Sequence, residues 1–321
     1  MNRPRRLRKT PLVREMVAET RLSKDMFIHP YFVVPGTGVT QAIEAMPGVN
    51  RFSIDNLVWD VEACLAIGLN KIMLFGVGEE KSEDAHTAYS DSSLVVSAVR
   101  ELKKKFGDDL FIVTDVCVCS YTTHGHCGIL QDDYVQNDKT VEVIAKMALA
   151  HSVAGADMLA PSDMMDGRVK AIRSLLDLNG QVNTAIMAHA TKFASSYYGP
   201  FREAADCAPG KGDRKSYQMD FRNSREAVKE ALLDAEEGAD VLMVKPGLAY
   251  LDIISKLKAS TNNPIAVYNV SGEYSMVKAA AEKGWIDEQK VVMETMYAFA
   301  RAGASIITTY HIKDILKNGW M

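Results

Sequence analysis

Three seven-residue runs, GADMLAP (155–161), GADVLMV (238–244) and GASIITT (303–309), each set a glycine just ahead of an apolar, β-rich stretch. A glycine at that place closes a helix in the left-handed conformation, and the apolar stretch opens a strand, so each run is the αβ joint of a repeated unit. Apolar runs of the same kind occupy 30–34, 71–77, 110–117, 158–163, 183–190, 241–247, 264–272 and 305–311. They are nearly continuous rather than alternating, as expected of parallel strands buried on both faces. Segments of helical period lie between them, among them 55–68, 139–155, 224–238 and 287–303, each ending in glycine. Eight strands with eight crossovers over about 290 residues fit an α/β chain folded as a (β/α)8 TIM barrel. A doubly wound open sheet would carry a phosphate-binding glycine fingerprint after its first strand, and the lone GTG at 36–38 lacks the third glycine.

Two stretches break the rhythm. Residues 1–28 form an extended N-terminal arm ahead of a catalytic domain over 29–321. Residues 193–223, rich in Gly, Pro and charge, make a connection long enough to serve as an active-site lid. The arm holds Arg3, Arg5, Arg6, Arg8 and Lys9, which leaves a net charge of −9 on the remainder of a chain whose total is −4. A basic arm on an acidic body fits docking on a sister subunit. It also fits nucleic-acid binding, but the first 26 residues contain no aromatic side chain to stack on bases. No run of about 18 apolar residues is present and the first residues carry no apolar leader, so the chain reads as cytoplasmic, without membrane or nucleic acid as partner.

Barrel chemistry gathers at the C-terminal ends of the strands. Those positions hold Asp115 and Cys117, Ser162 and Asp163, Lys192, Lys245, Ser271 and Tyr310. Lysine there can clamp an anion, form an ion pair or act as a Schiff-base nucleophile. Two on neighbouring strands about 4.8 Å apart repel each other, and an apolar setting adds desolvation, so both are expected to lose protons more readily. A second constellation is DVCVCSYTTHGHCG (115–128), where Cys117, Cys119 and Cys127 have the spacing C-x-C-x7-C. Three thiolates suit zinc and leave one coordination position open, as catalysis requires; His124 or His126 could instead close a structural site. Cys64 reads as core and Cys207 as a free thiol in the lid. The lid also carries Arg202, Lys211, Arg214 and Lys215, with Tyr217 and Gln218 beside them; its arginines could fork onto carboxylates.

Five motifs in one order, DVCVCSYTTHGHCG, MAHATKFASSYYGPFR, GDRKSYQMD, MVKPGLAYLD and YNVSGEYSM, together resemble porphobilinogen synthase (5-aminolevulinate dehydratase), from the RPRRLR arm to the TTYH strand. The resemblance implies condensation of two 5-aminolevulinate molecules to porphobilinogen. Lys245 would bind the first (P-side) substrate as a Schiff base and Lys192 the second (A-side). It further implies P-side carboxylate contacts at Ser271 and Tyr310, and A-side contacts at Arg202, Arg214 and Gln218. Asp115 would be an acid beside the A-side substrate, with Cys117, Cys119 and Cys127 as catalytic Zn2+ ligands, Glu230 at an allosteric Mg2+, and a homo-octamer formed through the arm. Members of the family with aspartates in place of the cysteines work without that zinc; all three cysteines are present here, which implies the zinc-dependent type. PYFVVPGTG and the Cys207 segment depart from the family pattern. A class I aldolase, the nearest rival, needs one lysine and no thiolate cluster.

Overall fold

The computed structural model describes residues 1–321. Its barrel strands are β1 (Phe27–Val33), β2 (Lys71–Gly76), β3 (Phe111–Val116), β4 (Met158–Pro161), β5 (Ala185–Lys192), β6 (Val241–Lys245), β7 (Ile265–Asn269) and β8 (Ile306–Thr309). They pair in chain order, all parallel, and β8 returns to β1, with Phe27 opposite Ile307. The (β/α)8 barrel is thereby closed and has no free edge. Around it lie α1 (Ile54–Ala66), α2 (Leu94–Phe106), α3 (Asn137–Ala154), α4 (Arg168–Leu178), α5 (Ser224–Glu236), α6 (Leu251–Ser260), α7 (Ser271–Glu282), α8 (Glu288–Ala302) and α9 (Ile312–Lys317).

The repeated GAD run has a structural reason beyond its glycine. Gly155 and Gly238 take φ of 110° and 108°, which end α3 and α5 in the left-handed region. The aspartate two residues on then bonds the neighbouring strand. Asp157 Oδ2 accepts Ile112 N at 2.6 Å, and Asp240 Oδ2 accepts Ile186 N at 2.8 Å. Each therefore satisfies a donor at the start of the strand beside it. GASIITT has Ser305 at this place and keeps only the backbone bond, Ser305 N to Ile265 O at 2.8 Å.

Side-chain parity along the strands separates two apolar clusters. Met73, Phe75, Val113, Met187, Met243 and Tyr268 fill the barrel interior. Leu74, Ile112, Ala188, Val244 and Val267 belong to the larger layer between strands and helices. On β6, Val241 and Met243 point inward while Leu242 and Val244 point outward. Lys245 continues the inward set into the barrel mouth.

Several boundaries differ from those read in the sequence. β1 begins at Phe27, inside the segment assigned to the arm. β5 extends to include Lys192. β7 ends at Asn269, and Ser271 is the first residue of α7 rather than a strand end. Tyr310 follows β8 instead of closing it. The end of the arm meets its own barrel, where Leu22 and Met26 pack against the core, but its helix, Pro11–Met16, started by Thr10, whose Oγ1 accepts Val13 N, buries no residue. Leu7, Leu12 and Met16 are 54%, 83% and 73% exposed. No helix is long and apolar enough to cross a membrane.

Candidate active site

Lys245 and Lys192 are direct partners in the β5–β6 ladder. The register shifts between Leu242 and Val244, and this irregularity brings both lysines inward at one level of the mouth. Each is 5% exposed. The Lys245 ammonium faces the Tyr268 ring at 4.1 Å, with Phe201 at 5.2 Å and Tyr198 at 5.8 Å. Ring faces favour a cation, yet burial and the charge of Lys192 prevail and bring the Lys245 pKa down to about 7.

Lys192 behaves differently from the expectation that both amines would be lowered. Burial is the largest single influence and lowers it, but the charges of Cys127, Cys117 and Asp115 act the other way and the pKa is raised overall. Its Nζ donates to the Ser162 carbonyl. Asp115 on β3 feels both lysines from elsewhere in the mouth. Its pKa is raised by burial, with Lys245 and Lys192 pulling the other way, and its Oδ1 has no partner.

The three cysteines meet beside these amines. Cys117, Cys119 and Cys127 are buried, free of disulfides, and hold their sulfurs within 4.8 Å of one another. Thiol protons are shared unequally: the other two sulfurs push Cys117 well up and draw Cys119 down. Neither histidine of this loop joins the sulfur group, although His124 Nε2 is buried without a partner. His126 faces Tyr217 Oη at 3.1 Å and the Lys211 carbonyl at 2.9 Å, while His124 Nδ1 accepts His126 N at 3.1 Å. The donor set is therefore three sulfurs with an open side, which fits a thiophilic divalent metal. Cys207 joins from the lid as a neighbour of Cys119, and its pKa falls to about 7 chiefly through that contact.

The lid is down. It starts with a 3-10 turn (Ser196–Tyr198) and a short helix (Gly199–Ala204), then runs irregularly over the metal loop. Arg214 is buried and donates to the carbonyls of Gly125 at 2.9 Å and Cys207 at 2.6 Å, and Gly210 N donates to His124 O at 3.0 Å. Arg214, expected as a carboxylate fork, thus already spends one terminal nitrogen on backbone. Arg202 keeps a buried Nε without a partner, and Gln218 a buried Nε2. Ser271 Oγ accepts Phe201 N at 2.9 Å, and Tyr310 Oη lies 3.1 Å from Tyr268 Oη. Glu230 stands apart, half-buried on α5 in a 340 Å3 cleft with Asn137, Asp166 and Glu226. Burial, Asp166 and Asp234 raise its pKa.

Strand-end reasoning missed the aromatic wall of Tyr198, Phe201 and Tyr268. The first two sit in the lid, where only their place after Lys192 pointed to them. It also missed the close seat of α7 against the lid. A Cβ on Gly272 would lie 2.5 Å from the Tyr197 carbonyl oxygen. Gly272→Ala is expected to push the lid off Ser271, to cost about 1–3 kcal/mol of stability, and to lower kcat/KM about tenfold or more. Melting curves and steady-state kinetics check it.

A family model described as delta-aminolevulinic acid dehydratase matches residues 1–318. The chain is 51% identical over 317 residues to a delta-aminolevulinic acid dehydratase of Synechococcus elongatus, covering 98% of this chain and 97% of that one. It is 48% identical over 316 residues to that of Bacillus subtilis, covering 98% and 97%. The crystal structure of the Toxoplasma gondii delta-aminolevulinic acid dehydratase (porphobilinogen synthase) in complex with its reaction product, porphobilinogen, superposes with a TM-score of 0.97 at 44% identity. That match covers 100% of this chain and 92% of that one.

Proposed function

The chain belongs to the delta-aminolevulinic acid dehydratase family, and from that premise we propose which of its residues carry the reaction. The enzyme joins two molecules of 5-aminolevulinate into porphobilinogen with loss of two waters, a step of tetrapyrrole biosynthesis. The observation that carries the residue assignment is the in-register pair Lys245–Lys192, buried at one barrel mouth beside three clustered sulfurs.

Lys245, with its pKa near 7, is the readier amine at neutral pH. It attacks the ketone of the first substrate: a carbon–nitrogen bond forms, the ketone oxygen leaves as water, and the iminium draws electrons from the adjoining carbon. Lys192 does the same with the second substrate once a proton has left its ammonium. Asp115, buried within electrostatic reach of the two amines and with a raised pKa, exchanges protons with both. Ser271 and Tyr310 hold the carboxylate of the first substrate; Arg202, Arg214 and Gln218 hold that of the second. The aromatic wall excludes water, which protects both imines from hydrolysis.

The family is metal-dependent in general, and zinc on Cys117, Cys119 and Cys127 is the reading the three-sulfur donor set supports. A bound Zn2+ supplies a Lewis acid at the A-side substrate. Glu230, among acidic neighbours on α5, is our candidate for an allosteric Mg2+. Exposed apolar side chains along the arm support a homo-octamer in which the arm docks on a sister subunit, and we place the enzyme in the cytoplasm.

The test is direct. Purified protein given 5-aminolevulinate under reducing, zinc-replete conditions should form porphobilinogen, measured by its colour reaction, and a zinc chelator should stop it. No product under those conditions would remove the assignment.

A further inference from the structure

We infer that Glu273 is a positioning residue for this reaction: its buried carboxylate ties the backbone following Lys245 to the β7–α7 junction bearing Ser271, and so fixes where the Lys245 amine meets the ketone. The inference rests on the reading of Lys245 as the first Schiff-base nucleophile.

Glu273 is 2% exposed, at the third position of α7. A glutamate there ordinarily reaches back to the backbone N–H that precedes the helix and stops at that. Here one oxygen does so: Oε2 accepts Val270 N at 2.9 Å and Asn269 Nδ2 at 3.0 Å. The other oxygen leaves the helix altogether. Oε1 accepts Gly247 N at 3.1 Å and Leu248 N at 2.7 Å, from the turn two residues beyond Lys245. Four donors and no acceptor surround the group, so only the ionised carboxylate satisfies them all.

The clamp reaches every element that carries a P-side residue. Asn269 Oδ1 accepts Thr309 Oγ1 at 2.9 Å, which brings in β8 just before Tyr310. The carbonyl of Lys245 is held from the lid side by Tyr198 Oη at 3.1 Å and by Phe193 N at 3.0 Å. The turn at 246–248 has little freedom of its own, because a Cβ on Gly247 would lie 2.7 Å from the Phe299 ring. Lys245 is thus fixed before it by the β6 ladder and after it by Glu273. The three-sulfur cluster lies in the loop after β3 and takes no part in this hydrogen-bond network.

Glu273→Gln places an NH2 against N–H donors, so at least one pair of bonds is lost. Glu273→Asp keeps the charge but is one methylene too short to span both pairs. Each variant is incubated with 5-aminolevulinate and borohydride, and the rate of adduct formation at Lys245 is followed by peptide mass. The thiolate-to-metal absorption band of the Co2+-loaded protein reports the cysteine loop, outside this network. Adduct formation should slow about tenfold to a hundredfold in Glu273→Gln and severalfold in Glu273→Asp, with the cobalt band unchanged in both. An unchanged adduct rate overturns the inference, as does a cobalt band lost in proportion to the adduct, which would mark general collapse. Should Glu273→Gln fail to fold, Glu273→Asp decides by the same measurements. Absence of any Lys245 adduct in the parent enzyme would instead remove the Schiff-base reading itself.

Discussion

Lys245→Met is expected to be catalytically dead and yet to melt at a higher temperature than the parent enzyme. Removing a covalent nucleophile from a concerted site costs about 10⁴-fold or more in kcat. The stability gain has a separate origin. The Lys245 pKa stands near 7 in the fold against an ordinary 10.5, first because of burial and then because of Lys192. Wherever the unfolded lysine holds a proton that the folded one resists, folding is penalised. The penalty is complete below about pH 7, fades as the pH rises from 7 to 10.5, and is absent above that. At pH 7 it is on the order of 4 kcal/mol at most, reduced by the three aromatic faces around the ammonium. An apolar methionine removes the penalty and fills most of the same space. Differential scanning calorimetry at pH 7 and pH 9.5 should show a gain at the first that shrinks at the second. A variant less stable than its parent at pH 7 would mean that the lysine keeps a nearly ordinary pKa, being better solvated or better paired than its surroundings indicate.

The same electrostatics orders the two amines in the reaction. Below about pH 7 the rate of borohydride trapping at Lys245 should fall with the neutral-amine fraction. Lys192→Gln removes the neighbouring charge that helps depress Lys245, so this acid limb should move to higher pH. The Lys192 variant should still form the Lys245 adduct while making no porphobilinogen.

Much of this was legible in the chain, for identifiable reasons. Apolar continuity is local, so MLAP, VLMVK and IITT announced strands buried on both faces, and the glycines at 155, 238 and 303 marked where each helix had to stop. Register between strands is not local. That Lys192 and Lys245 stand opposite each other depends on an irregularity near Val244, which nothing in either run specifies. Ser271 read as a strand end because the apolar run stops at Val270, whereas the Ser-Gly-Glu that follows begins a helix whose glutamate turns back on it. The rise in the Lys192 pKa was hidden for a related reason: the thiols that cause it lie more than sixty residues earlier and meet the amine only when β3 and β5 share a mouth. Arg214 shows the converse. Its residue type pointed to a ligand carboxylate, but in the fold it also serves the carbonyls of Gly125 in the cysteine loop and of Cys207 in its own segment.

Cys127→Ala is expected to separate the two halves of the chemistry. Three sulfurs within 4.8 Å cannot all be thiolates without a cation, since each negative charge opposes the next, and the split of Cys117 upward from Cys119 downward is the mark of that conflict. A divalent metal resolves it by displacing the remaining protons, so metal uptake at neutral pH should release protons to solvent in a measurable amount. With Cys127 gone, two sulfurs remain, too few for a tight site. Metal content should fall to background, and porphobilinogen formation should drop by about 10³-fold or more. Lys245 does not depend on that cluster for its position, being held by its own strand and by Glu273. The variant should therefore still capture one 5-aminolevulinate as a borohydride-stable adduct at Lys245, at a rate within a few-fold of the parent. Chelation of the parent enzyme should give the same division, reversed by added zinc. Product formation that survives the loss of metal would show that the thiols are a packing feature; an adduct that vanishes with the metal would show that the two substrate sites are not separable.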